Sequence, residues 1–159
     1  MPGWNHFDGQ GNARMVDVSE KAVTCRIASA SGRITMSREA LENILQKKIK
    51  KGDVLTVAQV AGIMAVKRTW ELIPMAHPLP LSGISLVFTP HEETCSIEAL
   101  CKVKIEGKTG VEMEALTGVS VGLLTIYDMV KGIDRGMVLS DIRLEHKEGG
   151  RSGTYDRKM

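Results

Sequence analysis

The stretch from Gly107 to Gly136 constrains the fold more than any other part of the chain. Its apolar residues Leu116, Val119, Leu123, Ile126, Tyr127, Val130 and Ile133 recur at steps of three and four. That is the period of an α-helix with one buried stripe. Gly118 and Gly122 lie one turn apart, so a second backbone can come close there. Helix propensity alone would not choose them, because each costs up to about 1 kcal/mol against Ala. Glu114, Thr117, Val121, Leu124, Asp128 and Lys131 fall on one strip of the same cylinder. On a solvated face, Asp128 and Lys131 form an i,i+3 pair worth a few tenths of a kcal/mol. Beside Tyr127 and Val130, in so apolar a helix, the pair is instead expected to be partly desolvated. That is how proton-transfer groups acquire shifted pKa values. Spacing alone leaves both readings open.

Composition narrows the class. With 159 residues, 43% hydrophobic and 25% charged, the chain suits one globular domain spanning residues 1–159. A formal net charge of +2 and 4% aromatics argue against nucleic acid as partner. The polar start MPGWNHFDGQGNAR lacks a signal peptide, and no apolar run is expected to span a membrane. Cys25, Cys95 and Cys101 are an odd number without CxxC spacing, which fits reduced thiols in the cytoplasm.

In chain order, residues 1–12 read as a flexible lead. Ala22–Ile34 reads as a strand in which Cys25 and Ile27 alternate against Thr24 and Arg26. Ser37 is the expected N-cap of a short helix with Leu41, Ile44, Leu45 and Ile49 inward. That helix is expected to end in Lys47, Lys48, Lys50 and Lys51, cations at the negative end of its dipole, before Gly52. Asp53 caps a second helix, with Val54, Val57, Val60, Ala61, Met64 and Ala65 inward. Pro74, Pro78 and Pro80 then stiffen a loop carrying His77. A hairpin follows, with Ile84, Leu86 and Phe88 alternating in one strand. Cys95, Ile97, Ala99, Cys101, Val103 and Ile105 alternate in the other, and the turn is expected at Pro90–Thr94. The long helix, a strand over MVLSDIRLEHK and a flexible Gly-rich tail from about residue 148 complete the chain. The order β-α-α-β-β-α-β predicts an α+β fold: a ferredoxin-like split β-α-β with an additional helix and helices on one face of an antiparallel sheet.

Two apparent motifs fail. Gly107-Lys108-Thr109 imitates the end of a Walker A loop, but Lys102 stands where its first glycine belongs. A turn with Gly107 and Gly110 at a helix N-terminus still offers backbone N–H groups to an anion. His6, His77, His91 and His146 show no zinc spacing, so no metal site is expected. The acids left for chemistry are Asp17, Glu112, Glu114 and Asp128. The basic groups are Arg26, Lys51, Lys67, Arg68, His77, Lys131 and Arg151. Cations gathered on a nearly neutral chain favour a small anionic ligand.

Four strings in order resemble one family: MVDVS (Met15 to Ser19), KGDV with AGIMAVKRTWELIPMAHPL (Lys51 to Leu79), KTGVEMEAL (Lys108 to Leu116) and LTIYDMVK (Leu124 to Lys131). They are similar to the MoaC family, the cyclic pyranopterin monophosphate synthases of molybdenum cofactor biosynthesis. The resemblance runs from about Asp8 to Gly153, with Arg151 where the family usually carries Lys. It implies a lyase without redox change. Its substrate is a cyclised dihydro-GTP supplied by a radical enzyme, and its products are the pterin and pyrophosphate. It further implies Asp128 and Lys131 as acid/base groups, with Lys51 as a second catalytic ammonium. Met75, Ala76, His77, Met113 and Glu114 are carried over as substrate-binding, with Glu112, Asp17, Arg26 and Lys67 as further pocket residues. No resident cofactor is implied, only magnesium as an aid in holding the triphosphate. The family's assembly is a hexamer built as a trimer of dimers, with the site at the dimer interface. On that basis the Gly118/Gly122 face is expected to meet a neighbour, with His77 reaching the site of Asp128 from the other subunit. The alternative, a noncatalytic ferredoxin-like nucleotide- or RNA-binding module, leaves Glu112, Glu114 and Asp128 without a task. A scaffold that only assembles molybdenum-cofactor enzymes is a third reading.

Overall fold

The computed structural model describes residues 6–151 and 153–158. In chain order it contains β1 (Thr24–Thr35), α1 (Arg38–Leu45), α2 (Val54–Lys67), α3 (Thr69–Leu72), β2 (Gly83–His91), β3 (Ser96–Gly107), α4 (Glu112–Val130), β4 (Val138–Glu148) and β5 (Tyr155–Asp156). The strands form one antiparallel sheet in the order β2-β3-β1-β4-β5. Because β1 and β2 both run against β3, they are parallel to each other with β3 between them. β3 and β4 are likewise parallel around β1. The α+β architecture expected from the element order is the one observed.

The core lies between the sheet and the layer made by α2 and α4. Every second residue of β3 faces it, and Ile97, Ala99, Cys101, Val103 and Ile105 are all 0% exposed. Burial lifts the Cys101 thiol to about 12, so that sulfur is an inert packing group. Val119, Leu123 and Ile126 of α4 fill the opposite side and are fully buried, as the period of three and four required. By length and composition α4 could cross a membrane, which the sequence reading did not anticipate. Here it is the central helix of the core.

Five expectations need correction. The glycines of α4 are used inside the chain rather than against a neighbour. A Cβ on Gly62 of α2 would lie 2.8 Å from the Gly118 carbonyl oxygen, and one on Gly122 would meet the Phe88 ring at 3.0 Å. Second, the inward face of α2 is the small-residue face, Ala58, Gly62 and Ala65, because only small residues let α4 come this close. Val57, Val60 and Met64 are therefore turned outward and exposed. Third, β1 has the opposite phase: Ala28, Ala30 and Ile34 are buried beneath the helices, while Cys25 is exposed. Fourth, Cys95 sits half-buried in the hairpin turn with φ 46°, not on the strand. β2 runs through Pro90 to His91, which an edge strand tolerates. Fifth, α1 stops at Leu45, so the lysine run lies beyond the helix and the dipole argument does not apply to it.

Ser37 and Asp53 cap α1 and α2 as expected, accepting from Ala40 N and Thr56 N. Both terminal segments expected to be flexible carry backbone pairing. Phe7 bridges Ala13 across a turn, and β5 pairs with His146 and Lys147 of β4.

Candidate active site

Helix α4 carries functional groups at both ends. At its N-terminal end a cavity of about 380 Å³ is lined by Met75, Ala76, His77, Glu112, Met113 and Glu114. Val16, Val18 and Lys21 of the N-terminal segment close another wall. That segment is tied down from two sides: Lys108 Nζ donates to Ser19 O at 2.6 Å, and His77 Nε2 lies 2.9 Å from Val16 O. A carbonyl oxygen only accepts, so His77 Nε2 carries the proton, and in the neutral ring Nδ1 keeps its lone pair. The proline-bounded loop thus presents His77 in one orientation.

Two carboxylates of the first turn of α4 share this cavity and differ. Glu112 is held by Lys147 Nζ of β4 at 3.1 Å. Glu114 is 4% exposed, and burial raises its carboxyl to about 7, with the nearby Glu112 adding to the rise and its own backbone N–H opposing it. The Glu112 carboxylate also folds back over Gly110, where a Cβ would collide with it.

At the C-terminal end, Lys131 Nζ donates to Asp128 Oδ1 at 2.6 Å. Lys51 Nζ donates to the Asp128 carbonyl at 2.9 Å and lies 3.7 Å from Oδ2. The Lys131 hydrogen bond, then the charges of Lys131 and Lys51, hold the Asp128 carboxyl below the usual carboxylate range. Within one chain the three groups are open to solvent, and the Asp128 side chain is 60% exposed. The expected desolvation of this pair is therefore not provided by the chain itself, because Asp128 is on the outer side of the last turn. A cavity of about 640 Å³ beside it is lined by Lys48, Lys50, Lys51, Lys131 and Arg135 over a floor of Ile49, Met129 and Val130. Gly52 takes φ +109°, which allows the chain to turn sharply from Lys51 into the cap Asp53. Lys47, by contrast, is engaged with Asp53 Oδ2 at 2.8 Å.

The remaining expected site residues lie elsewhere. Arg26 and Arg151 line a cavity of about 510 Å³ together with Lys21 and Thr24, and Arg26 Nε donates to Gly107 O at 3.0 Å. Gly149 (φ +91°) and Gly150 (φ +78°) pack onto Cys25 O and the Arg26 guanidinium, where a Cβ has no room. Lys67 borders a separate cleft with Ile63, Leu79 and Leu81. Asp17 is exposed, outside the cavity lining, and its carboxyl is held low by Ser19. Lys21 and Lys147 were missed by the sequence reading. Lys21 borders two cavities, and only the tertiary fold brings it there.

The whole middle of the chain matches a known family. A family model described as MoaC family matches residues 15–150. The chain belongs to the MoaC family. Curated members similar to it include a protein of Helicobacter pylori strain J99, 53% identical over 96% of this chain and 97% of its own length. A Desulfitobacterium hafniense protein is 58% identical over 96% of this chain and 93% of its own. One from Heliobacterium modesticaldum is 57% identical over 96% of each. All three carry the name cyclic pyranopterin monophosphate synthase. This family match gathers the four strings quoted above into one assignment.

Proposed function

We infer that this chain is a cyclic pyranopterin monophosphate synthase of molybdenum cofactor biosynthesis. The reading is carried by relatives of that name at 53–58% identity over nearly the whole chain. In detail, it converts (8S)-3',8-cyclo-7,8-dihydroguanosine 5'-triphosphate, supplied by a radical enzyme, to the pterin and pyrophosphate. This is a lyase reaction of the cytoplasm. The chemistry asks for proton transfers at a ring and for cations on a departing pyrophosphate. The acid/base cavity with His77, Glu112 and Glu114 suits the first. The cluster Lys48, Lys50, Lys51 and Lys131 suits the second. Among the described residues, no group of three His, Cys, Asp or Glu side chains is gathered to hold a metal. The test is direct: supply the purified chain with the cyclised substrate and detect pterin and pyrophosphate. No product would overturn the assignment.

The two cation- and acid-bearing ends also favour a site completed by a second subunit. From Glu114 to Asp128 the helix rises about 21 Å. Groups acting on the same few bonds must approach them to about 3–3.5 Å. One chain therefore holds His77 and Asp128 at opposite ends of the helix, whereas a neighbour in a dimer can bring the two groups to one substrate. The dimers would assemble as the trimer of dimers that the family resemblance implies. Refolding His77→Ala together with Asp128→Asn tests this. Mixed two-fold pairs then contain one intact site and one doubly damaged site. Random pairing returns roughly a quarter of full activity. A normally assembled mixture no more active than the separate variants would rule out the shared site.

A further inference from the structure

We propose that Glu114 is a general acid of the reaction, delivering the proton to the ring nitrogen that leaves when the substrate's imidazole ring is opened. This rests on the reaction assigned above. It goes beyond substrate binding, the role that the family resemblance implies for this residue.

The argument begins with what each titratable group of the cavity is already doing. His77, from the loop after α3, gives its Nε2 proton to Val16 O. Glu112 is engaged by Lys147 of β4. Lys21 and His6, from the N-terminal segment, are at the cavity wall. Glu114 alone combines three properties. It is buried, its residue lines the cavity, and among the described residues no cation stands within ion-pair distance of it. Burial favours the neutral form of a carboxyl so placed, because it strips water from the charged form and no described cation compensates it. Its raised value near 7 agrees. Two neighbouring carboxylates with opposed surroundings are the arrangement that separates an acid from an ionised partner.

The step balances without a further reagent. Water adds its oxygen to the ring carbon, and the C–N electron pair leaves on nitrogen. The Glu114 O–H proton joins that nitrogen, and the proton lost by the attacking water restores the carboxyl by the end of the cycle. Nothing is oxidised or reduced.

Glu114→Gln tests the role, since the amide keeps the shape and a hydrogen-bond donor but gives up no proton. Expected is a fall in kcat of about 10²–10⁴-fold with KM little changed, and partial recovery in Glu114→Asp. The wild-type rate should fall as pH rises through about 7, and that limb should vanish in Glu114→Gln. The same titration must appear in the wild type without substrate, read as a ¹³C shift of the Glu114 carboxyl. A midpoint in the ordinary carboxylate range would overturn the proposal. So would a Gln variant that raises only KM, or one with normal kcat. Wild-type protein that yields no pterin would overturn the reaction itself, and this role with it.

Discussion

Glu114 and Asp128 are two acids on one helix, and their surroundings set them in opposite directions. Glu114 is in the first turn of α4, where the helix dipole favours an anion, yet its carboxyl is raised to about 7. Asp128 is in the last turn, where the dipole disfavours an anion, yet its carboxyl is held low. The dipole is worth only about 0.3–1 kcal/mol at such positions. At one end it loses to burial, and at the other to two ammonium groups. The same side-chain chemistry is therefore pushed toward the neutral acid at the buried end and toward the anion at the open end. Glu114 is covered by its own chain, whereas Asp128 and its two lysines are left open to solvent.

The largest effect should come from the open end. Asp128→Asn removes the carboxylate that orients Lys51 and Lys131, and turnover is expected to fall by about 10²–10⁴-fold with folding and assembly intact. Pyrophosphate release near the normal rate would return the pair to a solvated helix end. Lys51→Ala should be nearly as damaging, while Lys47→Ala should leave catalysis close to normal. Their engagements explain the difference: Lys47 closes on the cap Asp53, whereas Lys51 closes on Asp128. Equal and mild losses of activity would mean that the lysine run has no catalytic member.

The middle of α4 fixes the distance between the two ends, and breaking it should affect both. Gly62→Ala would drive a methyl into Leu86 Cδ2 and to 2.8 Å from a backbone oxygen of α4. The side chain can move, but the backbone cannot without parting the helices. A loss of about 1–3 kcal/mol in stability is expected from such overpacking. A chemical-unfolding midpoint equal to that of the wild type would show that the two helices slide freely.

Much of this was legible in the residues. The 3.6-residue period of α4, the unbroken alternation from Ile97 to Ile105 and the caps Ser37 and Asp53 are local signals, and each produced its element. The four family strings identified most of the groups now found at the two ends of α4. Where reading failed, the deciding information was non-local. Gly118 and Gly122 announce a close approach but not the partner, and only the fold shows that Gly62 answers them. In α2 the larger residues Val57, Val60 and Met64 outweighed Ala58 and Gly62 in any hydrophobic count, although the small ones are what the interface needs. The opposite fates of Glu114 and Asp128 were hidden for the same reason. They share one strip of the helix, but that strip passes from under the cavity wall at one end to open solvent at the other.

The smallest effect would be the sharpest test of the dry end. Between pH 4.5 and about 7, folding should take up a proton at Glu114, because the unfolded chain is already ionised there and the folded one is not. The folded value is raised, so this group's contribution is most favourable at low pH and declines as pH rises, levelling off above about 7. Above that point the folded protein holds a buried carboxylate with no counter-ion among the described residues. Glu114→Gln removes the titration. Relative to the wild type, the variant should therefore gain roughly 1–3 kcal/mol of stability on going from pH 5 to pH 8. The comparison is made by urea unfolding at one protein concentration, since any assembly makes the midpoint concentration-dependent. All other titrating groups are common to both proteins and cancel in the difference. A difference that stays flat, or reverses, would mean that Glu114 is ionised in the folded protein at pH 5. The cavity would then be wet, and the contrast between the two ends of α4 would be one of partners rather than of water.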